Sequence, residues 1–185
     1  LCILNEHKQA LDAGQKAIHL DPYNNLTRGI YGMTLNFSRK YKQAVSILNE
    51  IRETDHYNGI ALSSLRTSYH LLGEWDKAFG IWKECYRNDT IALNALEKGY
   101  EDGGYRQALE NLAIVLEERS RDTFITPWRI GTIYTRAGKH EEALDWLEKA
   151  FIAHDPNIPY LNTDPIFDDL RKDPRFIQMI KNLKL

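Results

Sequence analysis

The sequence predicts an all-α fold: stacked antiparallel helix pairs forming a solenoid, closed by a short helical cap at the C-terminus. Three observations carry this. Residues 138–151 read as a turn glycine followed by one amphipathic helix, with small anchors at Ala143 and Ala150 flanking Leu147. Looser copies of that stretch recur, their small anchors at Ala10, Ala44, Ala78, Ala108 and Ala143 being 34, 34, 30 and 35 residues apart. A unit of this length, built from two helices, cannot bury its apolar face alone, so successive copies must stack.

Bulk numbers bound the rest. With 185 residues, 43% apolar and 27% charged, the chain is long enough for a sizeable core and ordinary in composition. Twenty-four basic and 26 acidic side chains leave a formal charge of −2, which argues against dense coverage of nucleic acid or an anionic membrane. No apolar run approaches the roughly 18 residues of a membrane span. Cys2 and Cys85 are far apart and form no Cys-x-x-Cys pair, so they read as small apolar fillers on helix faces. That usage fits a reducing compartment, and the cytoplasm is the expected location.

In chain order, the second helices of the pairs are expected at 7–20, 41–53, 75–87, 105–120 and 140–153. Gly73 and Gly138 sit where a first helix must end in a left-handed residue. Asp21-Pro22 and Asp155-Pro156 stop second helices, because proline drives its predecessor out of the α region. Aromatic residues two after the turn, Tyr41, Trp75 and Tyr105, are expected to pack across their helix pairs. The fourth pair is irregular. Its first helix, about 90–101, begins early, and Gly99, Gly103 and Gly104 weaken it by about 1 kcal/mol each inside a helix. A local change of superhelical twist and a tolerated drift are both compatible with this. At the C-terminus, Asp164-Pro165 and Asp173-Pro174 each pair an N-cap acceptor with a proline at the first helical position. Two short helices should follow, with Phe167 and Leu170 on one and Phe176, Met179, Ile180 and Leu183 on the other.

The 34-residue period resembles the tetratricopeptide repeat over residues 1–156. Taking each anchor alanine as position 20, positions 24 and 27 hold Leu48 and Ile51, Trp82 and Cys85, Leu112 and Val115, and Leu147 and Ala150. Positions 7, 8 and 11 of the last repeat, Ile130, Gly131 and Tyr134, match the family most closely, whereas the third repeat departs at Arg66, where a small residue would let helices approach. The resemblance implies a right-handed superhelix with a partial first repeat at 1–24, repeats at about 25–58, 59–88, 89–123 and 124–156, and capping helices at 157–185. Leu1 falls mid-helix in that register, so the chain is expected to be the C-terminal part of a longer array. Residues 117–185, with Thr126-Pro127-Trp128 and the Asp-Pro-led tail, resemble the closing segment of bacterial repeat arrays attached to winged-helix regulators, nucleotide cyclases or protein kinases.

No catalytic constellation is legible. There is no phosphate loop, no His-Glu-x-x-His, no Gly-x-Ser-x-Gly and no clustered Cys/His set, so the chain reads as non-enzymatic, without metal or cofactor. His70 and Glu74 are separated by the turn glycine, and Glu141-Glu142 read as favourable charge at a helix start. Asn25, Asn36 and Asn88 begin glycosylation-type triplets, a pattern frequent by chance.

What remains is a binding surface. In the tetratricopeptide family, first helices line the concave face, which implies a peptide groove here with Met33, Asn36, Phe37, Thr67, His70, Tyr100, Trp128 and Thr132 as its candidate lining. Met33 and Phe37, one helical turn apart, make its anchor pocket. The family's carboxylate clamp needs Lys and Asn at positions held here by Gly29 and Met33, Ser63 and Thr67, Leu93 and Glu97, and Trp128 and Thr132, so chaperone-tail recognition is not expected. The expected function is a scaffold for a protein or peptide partner, with no nucleic-acid or membrane binding. The alternative is a structural spacer or self-association module, with a homo-oligomer as its outcome.

Overall fold

The computed structural model describes residues 1–183, so the last two positions of the expected cap at 157–185 lie outside the described residues. The described chain is helical and contains no strand. Its α-helices are α1 His7–Leu20, α2 Asn25–Phe37, α3 Tyr41–Thr54, α4 Gly59–Leu71, α5 Trp75–Cys85, α6 Thr90–Arg119, α7 Pro127–Ala137, α8 His140–Ile152 and α9 Pro174–Asn182. Short 3-10 turns occupy Cys2–Leu4, Ile158–Asn162 and Pro165–Leu170. The expected second helices coincide with α1, α3, α5, the latter half of α6, and α8, although α5 stops at Cys85, two residues early. No described helix is long and apolar enough to cross a membrane.

By packing, the chain forms two compact units. One comprises Leu1–Cys85 together with Asn162–Pro165; the other comprises Tyr86–Leu161 and the segment beginning at Ile166.

In the first unit, consecutive helices pack against one another and α2 also lies on α4. Ala44, Leu48, Ile51, Ala61, Leu65 and Ala78 are completely buried, and Trp82 nearly so. Gly32 permits the closest approach of α2 and α3, because a Cβ there would sit 2.5 Å from Leu48 Cδ2. At the matching place between α4 and α5, the unexpected Arg66 lays its guanidinium 3.8 Å from the centroid of the Trp82 ring. A flat cation stacked on a large ring thus replaces a glycine beneath a leucine, and the departure is compensated by its partner.

The turns repeat as faithfully as the helices. After α4, Gly73 has φ 71° and Glu74 N–H donates back to the Tyr69 carbonyl at 2.9 Å. After α7, Gly138 has φ 78° and Lys139 N–H donates to Tyr134 at 3.0 Å. After α2 the same left-handed position is filled by Arg39, φ 59°, with Lys40 N–H donating to Leu35 at 2.8 Å. All three are the six-to-one closure of a helix C-terminus. The opposite linkers repeat too. Asn24 and Asn58, 34 apart, accept from Thr27 and Ala61 N–H at 3.0 Å as N-caps, while their amides donate to Asp21 and Asp55.

The second unit accounts for the irregular fourth pair. α6 is broken at Gly103 and Gly104, whose φ/ψ of −156/16° and 74/−160° divide it into helical stretches at 90–102 and 105–119. The 30-residue spacing has a definite origin: α5 has 11 residues where α3 has 14, and the turn here is two residues where Leu72–Glu74 supplies three. Gly99 is a contact point of the helix, since a Cβ there would lie 2.7 Å from Ala108 Cα. Asp89 caps the first stretch at Ala92 N–H and also pairs with Arg119, which holds its carboxyl below the usual range. Tyr134 is buried and donates to Glu117 at 2.8 Å; burial, then that carboxylate, pushes its phenol up.

From Ile166 onward the tail packs within this unit. Phe167 meets Trp128 edge-on at 5.4 Å between centroids and Phe176 at 5.8 Å. Phe167, Leu170, Phe176 and Met179 are buried as expected, but the first expected helix is a 3-10 turn, Pro165–Leu170. Asp173 caps α9 at Arg175 N–H, and the Arg175 guanidinium reaches Glu148 at 2.7 Å, Asp145 at 2.6 Å and Glu141 at 3.3 Å on α8. Glu141 therefore serves both the helix start and the tail.

Two local expectations are corrected. Cys85 is exposed at the end of α5 instead of filling a helix face, because α5 stops there; Cys2 lies in the first 3-10 turn, and both are free thiols. Trp75 is 46% exposed and covers its pair only in part, whereas Tyr105 is buried.

Candidate binding surface

In the first unit, α2 begins at its Asn24 cap and exposes one apolar row. Leu26 is 57% and Ile30 46% exposed, and Met33, partly exposed, continues the row at helical spacing. Gly29 does not line an open face, since its α-carbon meets Ile60 of α4 and a Cβ would fall 2.9 Å from Ile60 Cγ2.

Asn36 and Phe37 lie inside. Asn36 is 2% exposed, its amide donating to the Ser64 carbonyl at 2.9 Å and its oxygen accepting from the Ser68 hydroxyl at 2.7 Å. It brackets α2 to α4, with every atom of its side-chain amide committed to the packing. That burial also removes its triplet from any glycosylation reading. Phe37 is 7% exposed, so the pocket expected from Met33 and Phe37 has one accessible member. On α4, Thr67 and His70 are half-buried, and the Thr67 hydroxyl donates to the Ser63 carbonyl one turn back.

In the second unit, Tyr100 is half-buried on the 90–102 stretch. Trp128, capped into place by Thr126 and Pro127, turns its ring to Phe167 and so serves the tail. The Thr132 hydroxyl donates to the Arg129 carbonyl at 3.0 Å. Met33, Thr67 and His70 belong to one unit and Tyr100, Trp128 and Thr132 to the other, so each set stands as a surface of its own unit.

Compared with known proteins, the sequence matches no family model and no curated protein.

Among the described residues, no group of three or more His, Cys, Asp or Glu side chains is arranged to hold a metal ion. His70 and Glu74 are divided by the Gly73 turn, and Glu74 pairs instead with Lys77 at 2.6 Å. Ile30 is the residue that carry-over of family positions missed. It falls between the positions assigned to the concave face, and counting four residues on from Leu26 would have found it.

Proposed function

We propose that the chain is a tetratricopeptide-like solenoid that presents a first-helix face to a protein or peptide partner, as part of a larger bacterial regulatory or signalling protein. One observation carries the binding role: the apolar row on α2 formed by exposed Leu26 and Ile30 and partly exposed Met33, on a helix otherwise held by buried anchors. Covering each of these side chains contributes about 1–2 kcal/mol at the usual transfer value, so the row supplies part of the roughly 8 kcal/mol that micromolar recognition of a short segment requires. The repeat reading is supported by the Asn24 and Asn58 caps, the three left-handed turns and the glycine contacts, which recur at matching places in successive pairs.

The test is selection of binding peptides from a random display library, followed by titration against Ile30→Asp with Met33→Asp. The selected peptides are expected to lose at least about tenfold in affinity, the equivalent of 1.4 kcal/mol. Unchanged affinity in a normally folded variant would remove the α2 face from the reading. Phe37 is left alone in this design because its burial would confound folding with binding.

Self-association is kept as a second reading on a separate observation. In the second unit a cleft of about 470 Å³ between α8 and α9 is lined by Phe151, Ile152, Pro174 and Met179, with Ile152 75% exposed.

A further inference from the structure

Asn24 and Asn58 are two copies of one arrangement in the first unit. Each caps a first helix by accepting at 3.0 Å from the N–H three residues on, Thr27 and Ala61. Each also donates its amide to the aspartate three residues back, Asp21 at 3.1 Å and Asp55 at 2.9 Å. Their main chains agree as well, with φ/ψ of −76/101° and −56/114°. The residue that follows differs: Asn25 after Asn24, but Gly59 after Asn58, the one Asn-Gly pair in the chain. Nothing in the packing requires that glycine. Gly59 is exposed, a Cβ built on it meets no atom within 4 Å, and its φ lies outside the left-handed region. As the first residue of α4 it also carries one of the N–H groups that a helix start leaves without an intrahelical acceptor.

We propose that Asn58 is a self-modification site, at which the folded chain converts its own side-chain amide to a carboxylate and so loosens the start of α4. The Gly59 nitrogen, on giving up its proton, attacks Asn58 Cγ. The new C–N bond closes a five-membered imide while the Cγ–Nδ2 bond breaks and the amide leaves as ammonia. Water then opens the ring on either side, giving aspartate or isoaspartate, so one water is consumed and one ammonia released. A β-carbon on the following residue obstructs this closure, and glycine has none. Closure also requires the Asn58 side chain to leave its two hydrogen bonds, which happens in local openings of the helix end. In the aspartate product an oxygen replaces the amide nitrogen that faced Asp55, and a hydrogen bond becomes a contact of like charges. In isoaspartate the main chain runs through the former side chain and the cap is lost. The first turn of α4 holds Ile60 against Gly29 of α2, so the change reaches the α2–α4 contact. None of this depends on the α2 face binding a peptide.

The test is peptide mapping by mass spectrometry of the full chain aged while folded in mildly alkaline buffer, beside a sample kept unfolded in urea. Conversion is expected at Asn58 several-fold faster than at Asn24 in the folded sample. Gly59→Asn, which copies the first cap into open space, should slow Asn58 to the rate of Asn24, and Asn25→Gly should quicken Asn24. In the isoaspartate form, exchange of the Ala61 amide should be about fivefold faster, the equivalent of one lost cap. Equal rates at the two asparagines, a rate at Asn58 indifferent to Gly59→Asn, or conversion at Asn58 in urea alone would overturn the proposal. Unchanged exchange at Ala61 in the converted chain would overturn the loosening of α4.

Discussion

Arg39 does with an ordinary side chain what Gly73 and Gly138 do without one. Its φ of 59° places it in the left-handed region, where a Cβ costs about 1–2 kcal/mol and glycine does not. Arg39→Gly should therefore stabilise the chain by about 0.5–1 kcal/mol after allowing for the greater freedom of glycine when unfolded. Urea denaturation measures this, and a loss of stability would mean that contacts of the arginine side chain outweigh its strain. Glycines at two of the three turns were legible in sequence, but the third turn was not, because nothing in an arginine announces positive φ. The Asn24 and Asn58 caps have a signature in the sequence: Asp-x-Tyr-Asn recurs at 21–24 and 55–58, with the cap immediately before each first helix.

At the scale of elements, the helix pairs are held by matched surfaces more than by individual residue types. Gly32 lies under Leu48 and Gly131 under Leu147, with a Cβ at Gly131 falling 3.1 Å from Leu147 Cδ2. Arg66 and Trp82 meet the same geometric need with opposite volumes. Sequence shows each half of such a pair but not that the halves touch, which is why Arg66 read as a departure. Ala143 is wholly buried where α8 meets its neighbours. Ala143→Leu should lower stability by about 1–3 kcal/mol through overpacking. A melting temperature equal to that of the unsubstituted chain would show that α8 has room there and that its anchor role is misassigned.

For the whole molecule, the end of the chain is a docked tail held on two counts. Phe167 and Phe176 bury apolar area, and Arg175 gathers three carboxylates of α8. What this tail leaves uncovered is the cleft with Ile152 at its edge. If self-association uses it, light scattering will show a mass that rises with concentration for the unsubstituted chain and stays monomeric for Ile152→Glu. A monomer at all concentrations, or a dimer indifferent to the substitution, would set that reading aside.

Helices, the glycine turns and the caps were within reach of the sequence because they rest on short-range rules: the spacing of small and large apolar residues, glycine after a first helix, and an acceptor before a proline. Tertiary structure decided what depends on neighbours distant in the chain. It buried Asn36, for which α4 supplies partners at Ser64 and Ser68, and Phe37, both on the same helix α2 as the partly exposed Met33. It also gave Trp128 to Phe167 and placed Asn162 on Ile3. A helical period tells which residues share a face; only the packed chain tells which faces another part of the same chain has already taken.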